Sequence, residues 1–279
     1  MIKQTIIIIA LNLCLFIGSK AQDSLTTSPQ HLLSLSTGLS NHMVRDDIMS
    51  PFIYGGSQLP ILLTYNYRGI KNRHTITAFY DNLELTSSIT DKGTSSHSHY
   101  VKNLNVFLDY SYDRKAFTLE QINTECFLGG RISSFLNSRI LYYSNQNSEP
   151  SAEVMMNLAL DALLEVKLDK SSDDLLSFHV CVPLISYVLL DDRYNATIEF
   201  TEIDLDKSLL GQIVSKGDFV TLNKLFKLQT ELSYTMFVGG SFGLEFQYRF
   251  QYYSFAEYKN LFYARCINNQ LLVGFIIIL

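Results

Sequence analysis

Three local patterns in the sequence could carry chemistry. SSHSHY places His97 and His99 two residues apart, so in an extended segment both imidazoles point to one side. Two imidazoles so placed can hold a transition metal, although no third ligand stands near them. Asp191 and Asp192, with Arg193 beside them, put paired carboxylates at the head of a long connecting stretch. His179 lies two residues from both Ser177 and Cys181, so in a strand the three share one face. A wider set of polar residues recurs at every second position: Asn105, Asp109, Asn157, Asp161, Glu165, Lys167, Lys227, Gln229, Glu231, Glu245, Gln247 and Arg249. What such a set can do depends on the elements that hold it.

Those elements have period two. In EVMMNLALDALLEVKL the even positions from Val154 to Leu168 are apolar, while Glu153, Asn157, Asp161, Glu165 and Lys167 occupy the odd ones. Helical spacing would mix the two sets; a strand separates them onto opposite faces. The same separation recurs in KLFKLQTELSYTMFV (224–238), FGLEFQYRFQYY (242–253) and NLNVFLDYSY (103–112). Strands are expected near 31–41, 58–68, 73–85, 100–112, 116–136, 151–168, 174–188, 222–238, 242–255 and 259–279. Many exceed the usual strand of about 5 to 6 residues and reach the roughly 9 to 11 that span a bilayer.

The connectors RGIKN, DRK, DKSSD and GGS are short, whereas 42–57, 86–99, 137–150 and 189–221 are longer. Short turns on one rim and long loops on the other describe a closed, antiparallel, up-and-down transmembrane β-barrel. Ten strands are expected. Twelve is the alternative if 189–221 hides another hairpin. Strand 116–136 keeps no clean phase, with Glu120 and Glu125 on opposite faces, so a bulge is expected there. Gly55–Gly56 and Gly239–Gly240 read as turn or bulge glycines. The competing architecture with the same period is a soluble β-sandwich, whose strands are shorter and whose turns are more evenly spaced.

The composition agrees with a lipid-facing barrel. The chain is 47% hydrophobic and 13% aromatic but only 18% charged, where about a quarter is usual in soluble domains. Residues 1–21 read as a signal peptide, with Lys3, an apolar run from Ile6 to Ile17, and cleavage after Ala21; residues 22–279 form one barrel domain. Without Lys3 and Lys20, 20 basic residues face 27 acidic ones, a balance that gives no footprint for nucleic acid. Cys126, Cys181 and Cys266 remain, an odd number on predicted strands, and read as small buried hydrophobes rather than a disulfide framework. No cofactor is implied.

The outward face then carries aliphatic residues and Tyr. Tyr65, Tyr67, Tyr110, Tyr112, Tyr248, Tyr252 and Tyr253 are expected to form the interfacial girdles, since there is no Trp. The inward face carries the polar set. In a ten-stranded barrel side chains largely fill the lumen, and buried charges must be paired. The expected lumen network is Asp109, Asp161, Glu165, His179, Glu231, Glu245 and Arg249. Arg249 is the cation expected to hold Glu231 and Glu245, and a gated polar pore is the alternative to a plug. His179 faces the lumen in this phase.

The final strand, NQLLVGFIIIL, alternates Leu271, Val273, Phe275, Ile277 and Leu279. It resembles the C-terminal signal read by the outer-membrane assembly machinery, with Leu279 where an aromatic residue is usual. The signal ending KAQ and the stretches SPFIYGGSQLPILLTYNYRGIKNRHTI and PLISYVLL resemble uncharacterised outer-membrane barrels of the Bacteroidetes type. This resemblance implies export to the outer membrane of a Gram-negative bacterium, contact with its lipid, and no assigned catalytic residue. The Asp191–Asp192 pair above ten strands is similar to the paired aspartates of the omptin proteases, whose other motifs are absent. A lipase site of the outer-membrane phospholipase kind would need its histidine on the lipid face. The function expected is structural, adhesive or accessory, with passive solute transport and membrane-embedded hydrolysis as alternatives.

Overall fold

The computed structural model describes residues 29–46, 50–87, 100–143, 146–147, 151–168, 174–190, 217–238, 241–257 and 262–279. Almost all of them are strand. In chain order these are β1 (Gln30–Asp46), β2 (Ser50–Gln58), β3 (Ile61–Arg68), β4 (Asn72–Ser87), β5 (Tyr100–Leu119), β6 (Thr124–Tyr143), β7 (Gln146–Asn147), β8 (Ser151–Lys167), β9 (Leu175–Leu190), β10 (Asp218–Thr221), β11 (Leu225–Phe237), β12 (Phe242–Glu257) and β13 (Phe262–Ile278). One 3-10 turn, Glu120–Ile122, joins β5 to β6.

The strands close into a ring. All pairings are antiparallel, and β13 returns to β1 in a continuous register from Leu32↔Ile278 to Asp46↔Ala264. β2 and β3 both lie between β1 and β4, so they form one interrupted stave. The break falls at Leu59–Pro60, where proline has no N–H to give to the ladder; the Thr37 hydroxyl donates to the Pro60 carbonyl instead, at 2.7 Å. β10 and β11 likewise share one flank of β9, interrupted by a turn at 222–224. β7 only extends the end of β6. Among the described residues the barrel therefore has ten staves: β1, β2/β3, β4, β5, β6, β8, β9, β10/β11, β12 and β13.

Four tight connections and both ends of the barrel lie on one rim, where the Leu279 amide donates to the His31 carbonyl. The five other connections lie on the opposite, loop-bearing rim.

Alternation along each stave sorts the side chains. Leu35, Leu39, Leu271 and Phe275 are 55 to 61% exposed on the outside, while Ser40 and Gln270, facing inward on the same two strands, are fully buried. An outward apolar band on a closed ring needs an apolar solvent, since closure leaves no second sheet to cover it. Near the turn rim, His31, Tyr65, Tyr67, His74, Tyr110 and Tyr112 form a continuous aromatic belt across β1, β3, β4 and β5. His31 packs on Tyr67 at 5.0 Å, and His74 packs on Tyr67 at 5.5 Å and on Tyr112 at 5.0 Å. Their polar tips meet each other, as in the 2.7 Å contact of His31 Nδ1 with the Tyr65 hydroxyl.

Several boundaries differ from the sequence reading. Asp113-Arg114-Lys115 is not a turn: β5 runs through it to Leu119, and the turn follows at 120–123. The alternation explains why, because Asp113 and Lys115 are buried in the lumen and Arg114 faces out. The true turn uses Asn123 in the left-handed region (φ 46°), which asparagine tolerates. The span read as one strand over 116–136 is thus the end of β5, a turn and most of β6, which is why it kept no phase. The bulge lies between Lys115 and Phe117. Most of the expected loop 42–57 is strand, leaving only 47–49 between β1 and β2. Gly55 and Gly56 sit inside β2; a Cβ on Gly56 would come 2.5 Å from the Glu84 carbonyl oxygen, so close approach of the neighbouring strand requires the glycine.

Candidate functional site in the barrel lumen

The inward face holds three charged layers and three apolar clusters. Nearest the turn rim, Arg73 spans two carboxylates. Its Nη2 lies 2.7 Å from Glu165 Oε2 and 3.4 Å from Glu125 Oε2. Lys115 donates to the other oxygen of Glu125 at 2.7 Å. The Arg73 guanidinium also lies 4.1 Å from the centre of the buried Phe127 ring, where a cation is attracted to the π-face. Arg73 comes from β4, Lys115 from β5, Glu125 from β6 and Glu165 from β8, so this layer ties four consecutive staves together.

The middle layer centres on Arg131 of β6. Its Nε donates to Asp161 Oδ2 at 3.1 Å, and its Nη1 lies 3.6 Å from Asp109. Asp161 Oδ1 faces His179 Nε2 at 2.8 Å. Across the ring, Arg249 pairs with Glu231 at 3.1 Å and lies 5.3 Å from the Phe107 ring centre. Between Arg131 and Arg249 is a small pocket, with room for about one water molecule, lined also by His179, Cys181, Gln229 and Glu231.

Nearest the loop rim, Arg139 is 1% exposed and sits between Asp46 and Glu153, with Nη1 2.9 Å from each. Its Nη2 donates to Glu153 at 3.2 Å and to the Tyr253 hydroxyl. Around this layer the interior is largely apolar. Met155, Val188, Val220, Leu225, Tyr253, Phe255 and Ala264 form one buried cluster, and Val44, Tyr54, Leu83, Leu85 and Val101 form another. A third, Leu62, Phe79, Phe107 and Leu272, lies deeper, and Phe135 links it to the first. His42 and Asp81, 2.8 Å apart, are buried on β1 and β4.

The structure places every residue of the expected network on the inward face. Asp109, Asp161 and His179 meet around Arg131, and Glu165 is held by Arg73. Arg249 meets Glu231; Glu245 is buried elsewhere, and its Oε2 has no hydrogen-bond partner. Cys126, Cys181 and Cys266 carry free thiols. His97, His99, Asp191 and Asp192 lie outside the described residues. Tyr253 is corrected: it is in phase with Arg249 and 6% exposed, so it belongs to the lumen and not to the girdle. The tandem Tyr252–Tyr253 must put one ring on each face.

No protein-family model matches the chain, and no curated protein matches it. Solved structures do. The outer-membrane protease OmpT from Escherichia coli superposes with a TM-score of 0.52 at 8% identity, covering 94% of this chain and 99% of that one. The fold is that of an outer-membrane β-barrel. The beta domain of the Bordetella autotransporter Brka (TM-score 0.41, 8% identity, 90% of this chain and 99% of that one) is also similar. So is Ail, the attachment invasion locus protein of Yersinia pestis (0.32, 9%, 88% and 99%). At these identities the likeness extends to the barrel and to nothing chemical within it.

Sequence reasoning on this outer-membrane barrel missed the three cations that organise the lumen nearest the staves β4 to β8: Arg73, Arg131 and Arg139. Arg73 stands at the edge of a turn motif, and the other two lie on β6, whose phase was masked by the misplaced turn. The available signal was the inward parity Phe127, Gly129, Arg131, Ser133, Phe135, Asn137, Arg139. It becomes legible once β6 is begun at Thr124.

Proposed function

We propose that this barrel resides in the outer membrane of a Gram-negative bacterium as a non-conducting scaffold, with a structural, adhesive or accessory role carried by its loop rim. The observation that supports the reading is the loop-side interior. Two apolar clusters and the ion-paired Arg139 layer occupy the lumen where a channel would need water. Water and ions avoid an apolar constriction, since nothing there replaces their hydration. The C-terminal strand, which pairs along its length with β1, is the segment that the assembly machinery would read to close the ring. The exported-barrel type suggested by the sequence, that of Bacteroidetes, fits this role.

Planar-bilayer recording tests the reading. Wild-type barrel is expected to show no resolved single-channel steps. Truncating Met155, Leu85 and Leu225 together to alanine should create them by opening the loop-side stopper. Steps in the wild type would instead establish passive solute transport through the polar half and its cavity.

A further inference from the structure

Asp113, Asp161 and His179 come from β5, β8 and β9 and converge at one level of the lumen. β6 runs between the two aspartates, and at their level it carries Gly129. The register pairs Asp113 with Gly129 on one side, and Gly129 with Asp161 on the other. A Cβ at Gly129 would lie 1.9 Å from the Tyr112 carbonyl oxygen and 2.6 Å from Asp113 Oδ1. The missing side chain therefore makes a notch that the Asp113 carboxylate occupies on its way toward Asp161. One ligand atom from each of Asp113, Asp161 and His179 lies within 4.8 Å of the other two.

Asp113 and Glu245 are both buried lumen acids with no ion pair among the described residues, and of the two only Asp113 has both oxygens unpartnered. Asp113 is fully buried. Ser111, on the same face, stands near it but outside hydrogen-bonding geometry. Arg131 serves Asp161 and Asp109 and forms no ion pair with Asp113. A buried carboxylate needs a compensating positive charge. Every other acid in the three charged layers has one within 4 Å.

We propose that Asp113, Asp161 and His179 bind a divalent first-row transition metal ion, with Zn²⁺ as the reference ion, on the inner wall of the barrel. One imidazole nitrogen with two carboxylate oxygens is a donor set for that class rather than for Mg²⁺ or Ca²⁺, which take oxygen alone. Asp161 is already oriented: Arg131 holds Oδ2, and Oδ1 is turned to His179. On loading, the ion takes the lone pair of His179 Nε2: any proton on that nitrogen leaves to solvent, and Arg131 Nη2, which lies 3.0 Å from it, turns aside. Arg131 stays on Asp161 Oδ2 as the outer partner that fixes the ligand. Tetrahedral bonds of about 2.0–2.2 Å require the three donors to draw in by small side-chain rotations. The adjoining pocket, which shares Arg131 and His179, has room for about one water, enough for the ion's open position. The site does not depend on whether the lumen conducts.

The barrel, purified in detergent and stripped with a chelator, should be titrated with Zn²⁺ by calorimetry and with Co²⁺ by visible absorption. One ion per barrel is expected. Asp113→Asn and His179→Gln should each weaken binding at least about tenfold. His42→Asn, at a buried histidine of another cluster, should leave it unchanged. Heat-modifiable gel mobility reports whether each variant is folded; if Asp113→Asn fails, His179→Gln with the Co²⁺ spectrum carries the test. No saturable binding, or full binding retained in His179→Gln, overturns the proposal. So does a barrel that Zn²⁺ leaves equally heat-stable while Asp113→Asn makes it more stable, because a proton on Asp113 would then supply the compensation.

Discussion

The two halves of the lumen solve the same packing problem with different materials. On the loop side, apolar side chains from ten strands pack into two clusters as in a soluble core, and Arg139 bridges two acids beside them. On the turn side, the staves are joined by charges: Arg73 with Glu165 and Glu125, Lys115 with Glu125, Arg131 with Asp161. The outside of the barrel is apolar at both levels, so lipid does not explain the contrast. The difference shows what each half must do. An apolar interior gives water no partners. A charged interior needs exact partners, tolerates water, and leaves room for the cavity between Arg131 and Arg249.

This contrast can be broken or sharpened by substitution. The largest effect is expected for Arg139→Ala, which leaves Asp46 and Glu153 buried without their cation and should cost about 3–5 kcal/mol. The urea midpoint of unfolding in detergent measures it. Replacing Arg139, Asp46 and Glu153 together by apolar residues of similar size should recover most of that loss, since the surrounding interior is already apolar. A triple variant as weak as Arg139→Ala would show that the loop-side half is not a dry core. Next, Leu85→Ala, at a fully buried position of the loop-side cluster, should cost about 2–5 kcal/mol through lost burial and a residual cavity. A cost near zero would mean water fills that half.

Arg249→Ala should cost less, about 1–3 kcal/mol. Its partner Glu231 is 28% exposed beside the cavity and can be solvated once the guanidinium is gone. A loss as large as that of Arg139→Ala would erase the distinction between the halves. The smallest effect belongs to Ser233→Ala. It removes one 2.6 Å hydroxyl contact with Ser177 on the turn side, worth about 0.5–1.5 kcal/mol.

Much of this was legible because a strand has a period of two. The faces of β8, β11, β12 and β13 follow from alternation alone. Closure was implied by long strands joined by alternating short and long connectors. The positions that misled are those where a local signal competes with the phase. Asp113-Arg114-Lys115 has the composition of a turn, yet its first and third residues are lumen charges that a closed barrel shelters. Tyr253 has the composition of a girdle residue, yet its parity sends it inward to Arg139.

What the sequence determined by itself is which side of the wall each residue faces, since that depends only on parity along its own strand. What only the tertiary structure decided is which inward residues meet. Arg139 finds Asp46 from 93 positions away, and Arg73 finds Glu165 from 92. Those distances are set by the tilt of the staves and by register shifts at Lys115/Phe117 and Leu158/Ala159. Parity fails only locally, where a bulge inserts one residue, as at Lys115 and Ala116, which are both buried; a partner is lost with any change of stagger, because the stagger of all ten staves must be summed before two side chains share a level.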